Sequence, residues 1–295
     1  MKNPNFNGTG VALVTPFKRD DSIDFRALSD VVEHVINNKV EYLVALGTTG
    51  ETPVLSEEEQ LSVLGHIIKV NKGRVPIVVG ISDNSTSALT EKIDRWDLQG
   101  VDAILTASPQ YNKPSQKGIH AHYMAVAEAS PLPIILYNVP SRTGSNIEAS
   151  TTLALACESE KFAGIKEASG DLSQLLEIAA QKPEHFKLIS GDDALALPMI
   201  SLGGAGVISV IGNAFPRQFS EMVRLALSNN WDDARRIQFS LLKIIDQLFV
   251  EGNPSGIKAA LHILNICENH VRMPLAPISR STYNRLSDLI KAIPI

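Results

Sequence analysis

The stretch PIILYNVPSRTGSNIEASTTLALACESEKFAGIK, residues 133–166, contains two short apolar runs separated by a helical pattern. Residues 133–137 and 162–166 are apolar on both faces and bounded by turn residues, which is typical of strands buried in a parallel sheet. The apolar periodicity that begins near Glu148 predicts a helix between them. The stretch therefore predicts one strand–helix–strand unit.

The same alternation of strand and helix patterns occurs along most of the chain. Six further strand-like runs are residues 10–14, 42–46, 76–80, 102–106, 187–190 and 206–210. One of the helical patterns begins with a capping box, in which Ser56 stands three residues before Glu59. Eight strand–helix units in about 230 residues match the size of a (β/α)8 barrel, the TIM barrel.

After Asn229 the strand pattern stops, and three helical stretches follow at residues 231–249, 254–267 and 279–291. We therefore interpret the fold class as α/β, with a (β/α)8 TIM barrel over residues 1–229 and a C-terminal helical extension over residues 230–295. At about 150 residues per domain, the length alone is compatible with two domains or one large barrel.

Composition excludes several classes of protein. The chain has 295 residues, of which 44% are hydrophobic and 20% charged, and its formal net charge is -5. Low hydrophobicity combined with high net charge, the signature of a disordered chain, is absent. The chain has no excess of basic residues to neutralise phosphates, which argues against nucleic acid as a partner.

The sequence also favours a cytoplasmic location without a membrane partner. The uncharged stretch between Asp193 and Arg217 contains glycines and prolines that divide it, so we do not expect it to span a bilayer. Residues 1–6 lack the apolar core of a secretory signal. Cys157 and Cys267 form no CxxC pattern and no disulfide framework, which is typical of a reducing compartment.

Reactive side chains gather at the predicted carboxyl ends of four strands. In a (β/α)8 barrel these ends, with the loops that follow them, form the active site. The segments are GTTGE (47–51), SPQYN (108–112), YNVPSRTG (137–144) and KEASG (166–170). They contribute hydroxyls and cations to one end of the barrel, which we call the barrel mouth.

Lys166 is the strongest candidate for a catalytic residue, because it ends an apolar strand. We expect Gly164 to face the same side and leave room beside the lysine stem. Desolvation of a lone lysine disfavours the cation and favours a neutral amine, which can form a Schiff base with a carbonyl substrate. Position alone leaves an alternative open, in which the lysine reaches solvent or pairs with a carboxylate.

Other candidates at the barrel mouth have similar alternatives. Tyr137 could transfer a proton or simply complete the barrel core. Thr48 and Thr49 could bind a carboxylate or form an ordinary turn. Arg142, on a short loop between Pro140 and Gly144, suits bidentate carboxylate binding but could also be a solvated surface arginine.

We expect no metal site. His120 and His122 are two residues apart in a helical pattern and do not share a helix face, and no HExxH motif is present. The glycines at residues 203–206 precede a strand, so we interpret them as a turn on the face of the barrel opposite the mouth.

Four segments resemble the pyruvate-dependent class I aldolase and lyase family: GTTGE (47–51), YNVPSRTG (137–144), GIKEA (164–168) and GDD (191–193). Their order, spacing and strand positions match the family over essentially the whole chain. The resemblance implies a lyase in which Lys166 forms an imine with pyruvate, with no other cofactor. The enamine then attacks L-aspartate 4-semialdehyde, in the first committed step of diaminopimelate and lysine biosynthesis. It also implies a cytoplasmic homotetramer, a dimer of dimers.

The resemblance assigns roles to individual residues as well. Tyr137, Thr48 and Tyr111 would form a proton relay, in which Tyr111 reaches in from a neighbouring subunit. Thr49 and Thr48 would bind the pyruvate carboxylate, and Ile208 would contribute a backbone carbonyl near the site. Arg142 would hold the carboxylate of the semialdehyde.

Two other functions remain open from the sequence. The chain could be a sibling aldolase, such as N-acetylneuraminate lyase or a 2-keto-3-deoxy sugar acid aldolase, although Arg142 favours a small acidic aldehyde. It could also be a catalytically silent barrel that senses a keto acid, although a binding protein has no need of the complete proton relay.

The feedback pocket of lysine-sensitive family members is altered in this chain. Its positions read Glu57, Gln60, Ala88 and Gln110, and only Asn84 retains the family residue. Ala88 lacks the carboxylate that would contact the ammonium group of a lysine ligand. We therefore expect weak or absent inhibition by lysine.

Overall fold

A computed structural model describes residues 6–293. In this part of the chain, parallel strands pair in sequence order and close into a barrel, in which the first strand pairs with the last. The strands are β1 (Gly8–Ala12), β2 (Tyr42–Ala45), β3 (Ile77–Gly80), β4 (Ala103–Ala107), β5 (Ile134–Asn138), β6 (Phe162–Glu167), β7 (Lys187–Ser190) and β8 (Gly206–Ser209). The predicted (β/α)8 barrel is confirmed. The expectation that residues 1–6 are not a secretory signal concerns a segment of which residues 1–5 lie outside the described residues.

Helices follow the strands and surround the barrel. Those of the barrel are α1 (Phe25–Asn37), α2 (Glu57–Asn71), α3 (Thr86–Arg95), α4 (Gln116–Ala129), α5 (Pro140–Thr143), α6 (Ala149–Glu158), α7 (Leu172–Gln181), α8 (Ala196–Ser201) and α9 (Pro216–Leu227). The C-terminal extension contains α10 (Trp231–Phe249), α11 (Ser255–Ile263) and α12 (Arg280–Lys291). The capping box predicted at Ser56 and Glu59 is present at the start of α2.

Several element boundaries differ from the prediction by one to four residues, and two of these differences have identifiable reasons. The first strand was expected at residues 10–14, but β1 ends at Ala12 although the apolar run continues. Leu13 and Val14 remain buried beyond the strand, and the Val14 N–H donates to Asn213 Oδ1 rather than to a neighbouring strand. The helix expected at residues 254–267 ends earlier, at Ile263, and Asn265 adopts a left-handed conformation that stops it.

Side chains of each strand alternate between two apolar clusters. In β5, Ile135 and Tyr137 belong to the cluster inside the barrel, whereas Ile134 and Leu136 belong to the layer between strands and helices. This alternation explains why the strands are apolar on both faces. Because Lys166 of β6 pairs in register with Tyr137, both side chains point into the barrel at the same level.

The C-terminal extension shares its core with the barrel. Leu241, Leu248 and Leu261 are buried in the same apolar cluster as the residues between the strands and the surrounding helices. The cluster is continuous across Asn229, so no gap in the core separates the two parts. We therefore propose residues 1–229 and 230–295 as two parts of one packed unit, in which the extension covers one side of the barrel.

The uncharged stretch after Asp193 does not form a membrane span. It is divided into α8, a glycine turn, β8 and a short 3-10 helix at residues 211–213. Among the described residues, none of the helices has both the length and the apolar character needed to cross a bilayer. The glycine turn precedes β8, on the side opposite the barrel mouth, as predicted.

Closure of the barrel requires a glycine at position 206. Gly206 of β8 lies beside Gly8 of β1, and a Cβ at position 206 would lie 1.9 Å from the Gly8 carbonyl oxygen. Gly206 also has a φ of 145°, which L side chains rarely adopt. Backbone atoms cannot move aside cheaply, so the clash and the φ strain act together.

We predict that Gly206→Ala lowers the free energy of unfolding by about 3 kcal/mol, from overpacking and backbone strain. Gly65→Ala is the matched control, because Gly65 lies exposed within α2 and a Cβ there meets no atom within 4 Å. The control should gain about 0.5–1 kcal/mol from helix propensity. Chemical denaturation measures both values, and similar effects of the two substitutions would contradict the closure argument.

Candidate active site

The carboxyl ends of β2, β3, β4 and β5, with residues that follow them, border a cavity of about 750 Å³ at the barrel mouth. This volume lies within the range of small-molecule sites. Thr48, Tyr137 and Arg142, three of the residues selected from the sequence, line the cavity. Lys166 is not one of the lining residues; it is only 5% exposed, and its Nζ is 4.3 Å from the centre of the ring of Tyr137, which does line the cavity.

The space beside Lys166 is maintained by Gly191, not by Gly164 as expected. A Cβ at Gly164 would meet the Lys187 carbonyl oxygen at 2.4 Å, so that glycine permits the close approach of β7. A Cβ at Gly191 would lie 3.2 Å from Lys166 Cε and 2.7 Å from Ala168 Cβ. The contact between β6 and the residue after β7 appears only in the tertiary structure.

A polar network behind the barrel wall fixes the ends of β5 and β6. Glu167 and Asn138 follow Lys166 and Tyr137 and point away from the barrel interior. Glu167 Oε2 accepts hydrogen bonds from Asn138 Nδ2 at 2.8 Å and Gln174 Nε2 at 2.9 Å. Asn138 and Glu167 are buried, so this network restricts the strand ends that carry the candidate residues Lys166 and Tyr137.

Thr48 and Thr49 lie on a short 3-10 turn after β2. Thr48 is partly buried at the cavity, whereas Thr49 is 2% exposed. The Gly50 and Glu51 N–H groups bond to carbonyls within the turn, so they are not free for a ligand. Asn253 Nδ2 donates to Thr49 Oγ1 at 3.0 Å. Sequence reasoning missed Asn253, because no local pattern relates residues so far apart.

Arg142 lies on the short helix α5, between Pro140 at its first position and Gly144 at its end. Gly144 adopts a left-handed conformation with a φ of 75°. Arg142 is exposed at the cavity rim, and among the described residues it forms no ion pair. The guanidinium is therefore available to an anionic ligand.

Tyr111 is not brought into the cavity of its own chain. It is 90% exposed, with a φ of 70° that is unusual for a tyrosine. Its N–H donates to the Thr143 carbonyl, which ties the loop to α5. Ile208 lies in β8, fully buried in the cluster inside the barrel.

Asp193 is a buried carboxyl group behind the end of β8. Its Oδ2 accepts hydrogen bonds from the N–H groups of Val210 at 3.1 Å and Ile211 at 2.8 Å. Burial raises the pKa of Asp193 to about 6, and these hydrogen bonds only partly oppose the effect. Asp193 therefore holds the segment that follows Ile208.

The region of the altered feedback pocket opens into the same cavity and already contains a cation. Lys92 Nζ donates to Gln60 Oε1 at 2.7 Å and lies 4.6 Å from the centre of the Trp96 ring. Glu57 is occupied as well, because its Oε1 accepts from Trp96 Nε1 at 2.9 Å. Lys92 and Gln60 both line the cavity.

The histidines singled out in the sequence have separate partners. His120 Nε2 lies 3.1 Å from Glu158 Oε1, and His122 Nδ1 lies 2.9 Å from Thr86 Oγ1. Within residues 6–293, no group of three or more His, Cys, Asp or Glu side chains could hold a metal ion.

Comparison with known proteins gives matches over almost the whole chain. The model of the dihydrodipicolinate synthetase family matches residues 5–293. A 4-hydroxy-tetrahydrodipicolinate synthase from Parabacteroides distasonis is 48% identical over 295 residues, covering 100% of this chain and 99% of the relative. A dihydrodipicolinate synthase crystal structure is 40% identical, with a TM-score of 0.93 and coverage of 97% of this chain and 98% of the other. A monomeric dihydrodipicolinate synthase variant is 34% identical, with a TM-score of 0.94 and coverage of 97% and 96%.

We predict that Asp193→Asn removes one component of the pH dependence of stability. Because the folded pKa of about 6 lies above the usual 3.8, the folded state binds this proton more tightly than the unfolded state. The resulting stabilisation is present in acid and is lost as the pH rises from about 4 through 6, a loss on the order of 3 kcal/mol. Asparagine keeps an oxygen for both N–H groups but does not titrate.

The measurement is the midpoint temperature of thermal unfolding of the wild type and of Asp193→Asn between pH 4.5 and pH 8. The midpoint of the variant should rise relative to that of the wild type as the pH increases. Other carboxyl groups titrate in both proteins and cancel in the comparison. A difference that stays constant across this pH range would contradict the prediction.

Proposed function

The chain belongs to the dihydrodipicolinate synthetase family, and from this premise we propose how its residues divide the work of the reaction. The enzyme is a class I aldolase-type lyase that condenses pyruvate with L-aspartate 4-semialdehyde. The product is 4-hydroxy-tetrahydrodipicolinate, and the reaction is the first committed step of diaminopimelate and lysine biosynthesis.

The proposed nucleophile is Lys166, and its position carries the proposal. The amine is almost fully buried at the carboxyl end of β6, directly over the Tyr137 ring. Its neutral form attacks the carbonyl carbon of pyruvate, and the resulting carbinolamine loses water to give an imine. Loss of a proton from the methyl carbon then produces the enamine that attacks the aldehyde. The amino group of the semialdehyde next displaces the Lys166 amine by transimination, which closes the ring and releases the product from the enzyme. The imine itself stabilises the carbanion, so we propose that no external cofactor takes part.

Tyr137 and Thr48 would transfer protons during these steps. Both line the cavity, and a hydroxyl in a relay can accept one proton while it passes on another. The third member of the relay would be Tyr111, supplied by a neighbouring subunit. The high exposure of Tyr111 and its strained backbone support a role outside its own chain.

A relay completed between subunits requires at least a dimer, and we propose a cytoplasmic homotetramer built as a dimer of dimers. One of the related structures is a monomeric variant, so the number of subunits in this assembly has to be measured. Light scattering combined with size-exclusion chromatography would determine it.

The two carboxylate substrates would be held by different groups. Thr49 and Thr48 would bind the pyruvate carboxylate, and the Ile208 carbonyl would lie close to it. Arg142 would bind the carboxylate of the semialdehyde, because its guanidinium is exposed at the cavity rim and free of ion pairs within the described residues. Bidentate binding of this kind fixes the orientation of the second substrate.

We predict that borohydride, added together with pyruvate, attaches the reduced adduct to Lys166. Peptide mass spectrometry locates the modified residue, and Lys166→Met should remove the label and the activity together. Lys69→Met is the matched control, because Lys69 is exposed on α2, away from the cavity. An unlabelled wild-type enzyme, or a label on another lysine, would contradict the assignment.

We also predict that lysine inhibits this enzyme weakly or not at all. The Lys92 ammonium group already donates a hydrogen bond to Gln60, and Ala88 has no carboxylate to bind the ammonium group of a lysine ligand. Like charges in a partly buried space repel each other, so binding of a lysine ligand is disfavoured. Initial rates with L-lysine, assayed in parallel with a lysine-sensitive synthase, test this prediction. Inhibition of the purified enzyme at sub-millimolar lysine would overturn it.

A further inference from the structure

The C-terminal extension contacts the turn that carries Thr49 at two neighbouring residues. Asn253 Nδ2 donates to Thr49 Oγ1 at 3.0 Å, and Lys258 Nζ lies 2.5 Å from Glu51 Oε1. All four residues are buried. Lys258 lies in α11 and Asn253 lies just before it. This one segment of the extension therefore contacts two residues of the turn proposed to bind pyruvate.

We propose that Asn253 is a positioning residue that prepares the Thr49 hydroxyl to donate a hydrogen bond to the pyruvate carboxylate. A threonine hydroxyl has one proton and two lone pairs. When the Asn253 N–H occupies a lone pair, the hydroxyl proton must point in another direction. Within residues 6–293, no acceptor for that proton forms a hydrogen bond with Thr49. The proposal rests on the role of Thr49 in pyruvate binding given above.

The buried ion pair keeps Asn253 in place. The side chains of Lys258 and Glu51 are both 0% exposed. Lys258 Nζ also donates to the His270 carbonyl at 2.8 Å, and the Arg272 N–H donates to Glu51 Oε2 at 3.1 Å. A buried ion pair adds little stability compared with apolar residues of similar size, but it tolerates only a narrow geometry. It therefore fixes the start of α11 relative to the turn.

The other end of the Asn253 amide supports the same interpretation. Asn253 Oδ1 is buried and has no hydrogen-bond partner among the described residues. A buried acceptor without a partner lowers stability, so the amide is not explained by its contribution to folding. Its useful group is Nδ2, which contacts Thr49.

Asn253→Asp tests the direction of this hydrogen bond, because aspartate has nearly the same shape but no N–H donor. An aspartate carboxylate can only accept, so it would capture the Thr49 proton and direct it away from pyruvate. Hydrogen bonds to charged groups contribute enough that we expect the KM for pyruvate to rise about 10- to 100-fold. The KM for the semialdehyde should change much less. Asn253→Ala should give a smaller increase, because the hydroxyl is then free to rotate.

Asn71→Asp is the matched control for burial of an aspartate. Asn71 is buried like Asn253, at 2% against 8% exposure, and it also donates through Nδ2, to the Val75 carbonyl at 2.7 Å, at the end of α2. This variant should lower the thermal midpoint without changing the KM for pyruvate. The midpoints of thermal unfolding, measured for all variants, separate loss of folding from loss of binding. If Asn253→Asp does not fold, the KM for pyruvate of Asn253→Ala is compared with that of the wild type instead.

Two further measurements distinguish positioning of Thr49 from a general effect. Borohydride trapping with hydroxyacetone, which has a ketone but no carboxylate, should be unchanged in Asn253→Asp, whereas trapping with pyruvate should fall. On a Thr49→Val background, Asn253→Asp should cause no further increase in KM, because the hydroxyl on which it acts is missing.

The proposal is overturned if Asn253→Asp retains the wild-type KM for pyruvate, or if trapping of both ketones falls in parallel. An additional effect on the Thr49→Val background would overturn it as well. These outcomes differ from failure of the proposed function itself, in which the wild-type enzyme would show no pyruvate adduct on Lys166.

Discussion

Backbone hydrogen bonds between β1 and β8 close the parallel sheet, and the whole functional site depends on that closure. In a closed parallel barrel all strands point the same way, so their carboxyl ends meet around one opening. Thr48, Tyr137 and Lys166 come from three different strands or the turns after them, yet they share this opening. Closure in turn requires a glycine at position 206, because a Cβ there would clash with the Gly8 carbonyl oxygen and separate the two strands.

Charge is distributed locally around this opening, and the net charge of -5 does not describe it. Both substrates carry a carboxylate, and a chain of net negative charge does not attract that group. The buried carboxylates have their own partners: Glu51 pairs with Lys258, Glu167 accepts from neighbouring amides, and Asp193 accepts from two backbone N–H groups. Because burial of an unpaired charge is costly, these partners are required for folding. The amine of Lys166 and the guanidinium of Arg142 are not bound to these carboxylates and are offered to ligands in the proposed site.

Much of the fold could be predicted from the sequence, because the relevant signals are local. Runs such as residues 133–137 indicate buried strands through composition and length alone. Residues at the ends of those runs, including Tyr137 and Lys166, could be selected as candidates once the barrel was inferred. Strand ends were less accurate, because the apolar run continues past β1 through Leu13 and Val14, and the Val14 N–H bonds to a side chain instead of a strand.

The sequence by itself determined the barrel, the helical extension and the set of reactive residues at the strand ends, since each depends on periodicity or on residues close together in the chain. Only the tertiary structure decided which groups surround them. Gly191 beside Lys166, Lys92 on Gln60 and Asn253 on Thr49 are contacts between residues far apart in the chain, the last across 204 positions. Such contacts depend on how the elements pack in three dimensions, and periodicity along the chain contains no information about that packing.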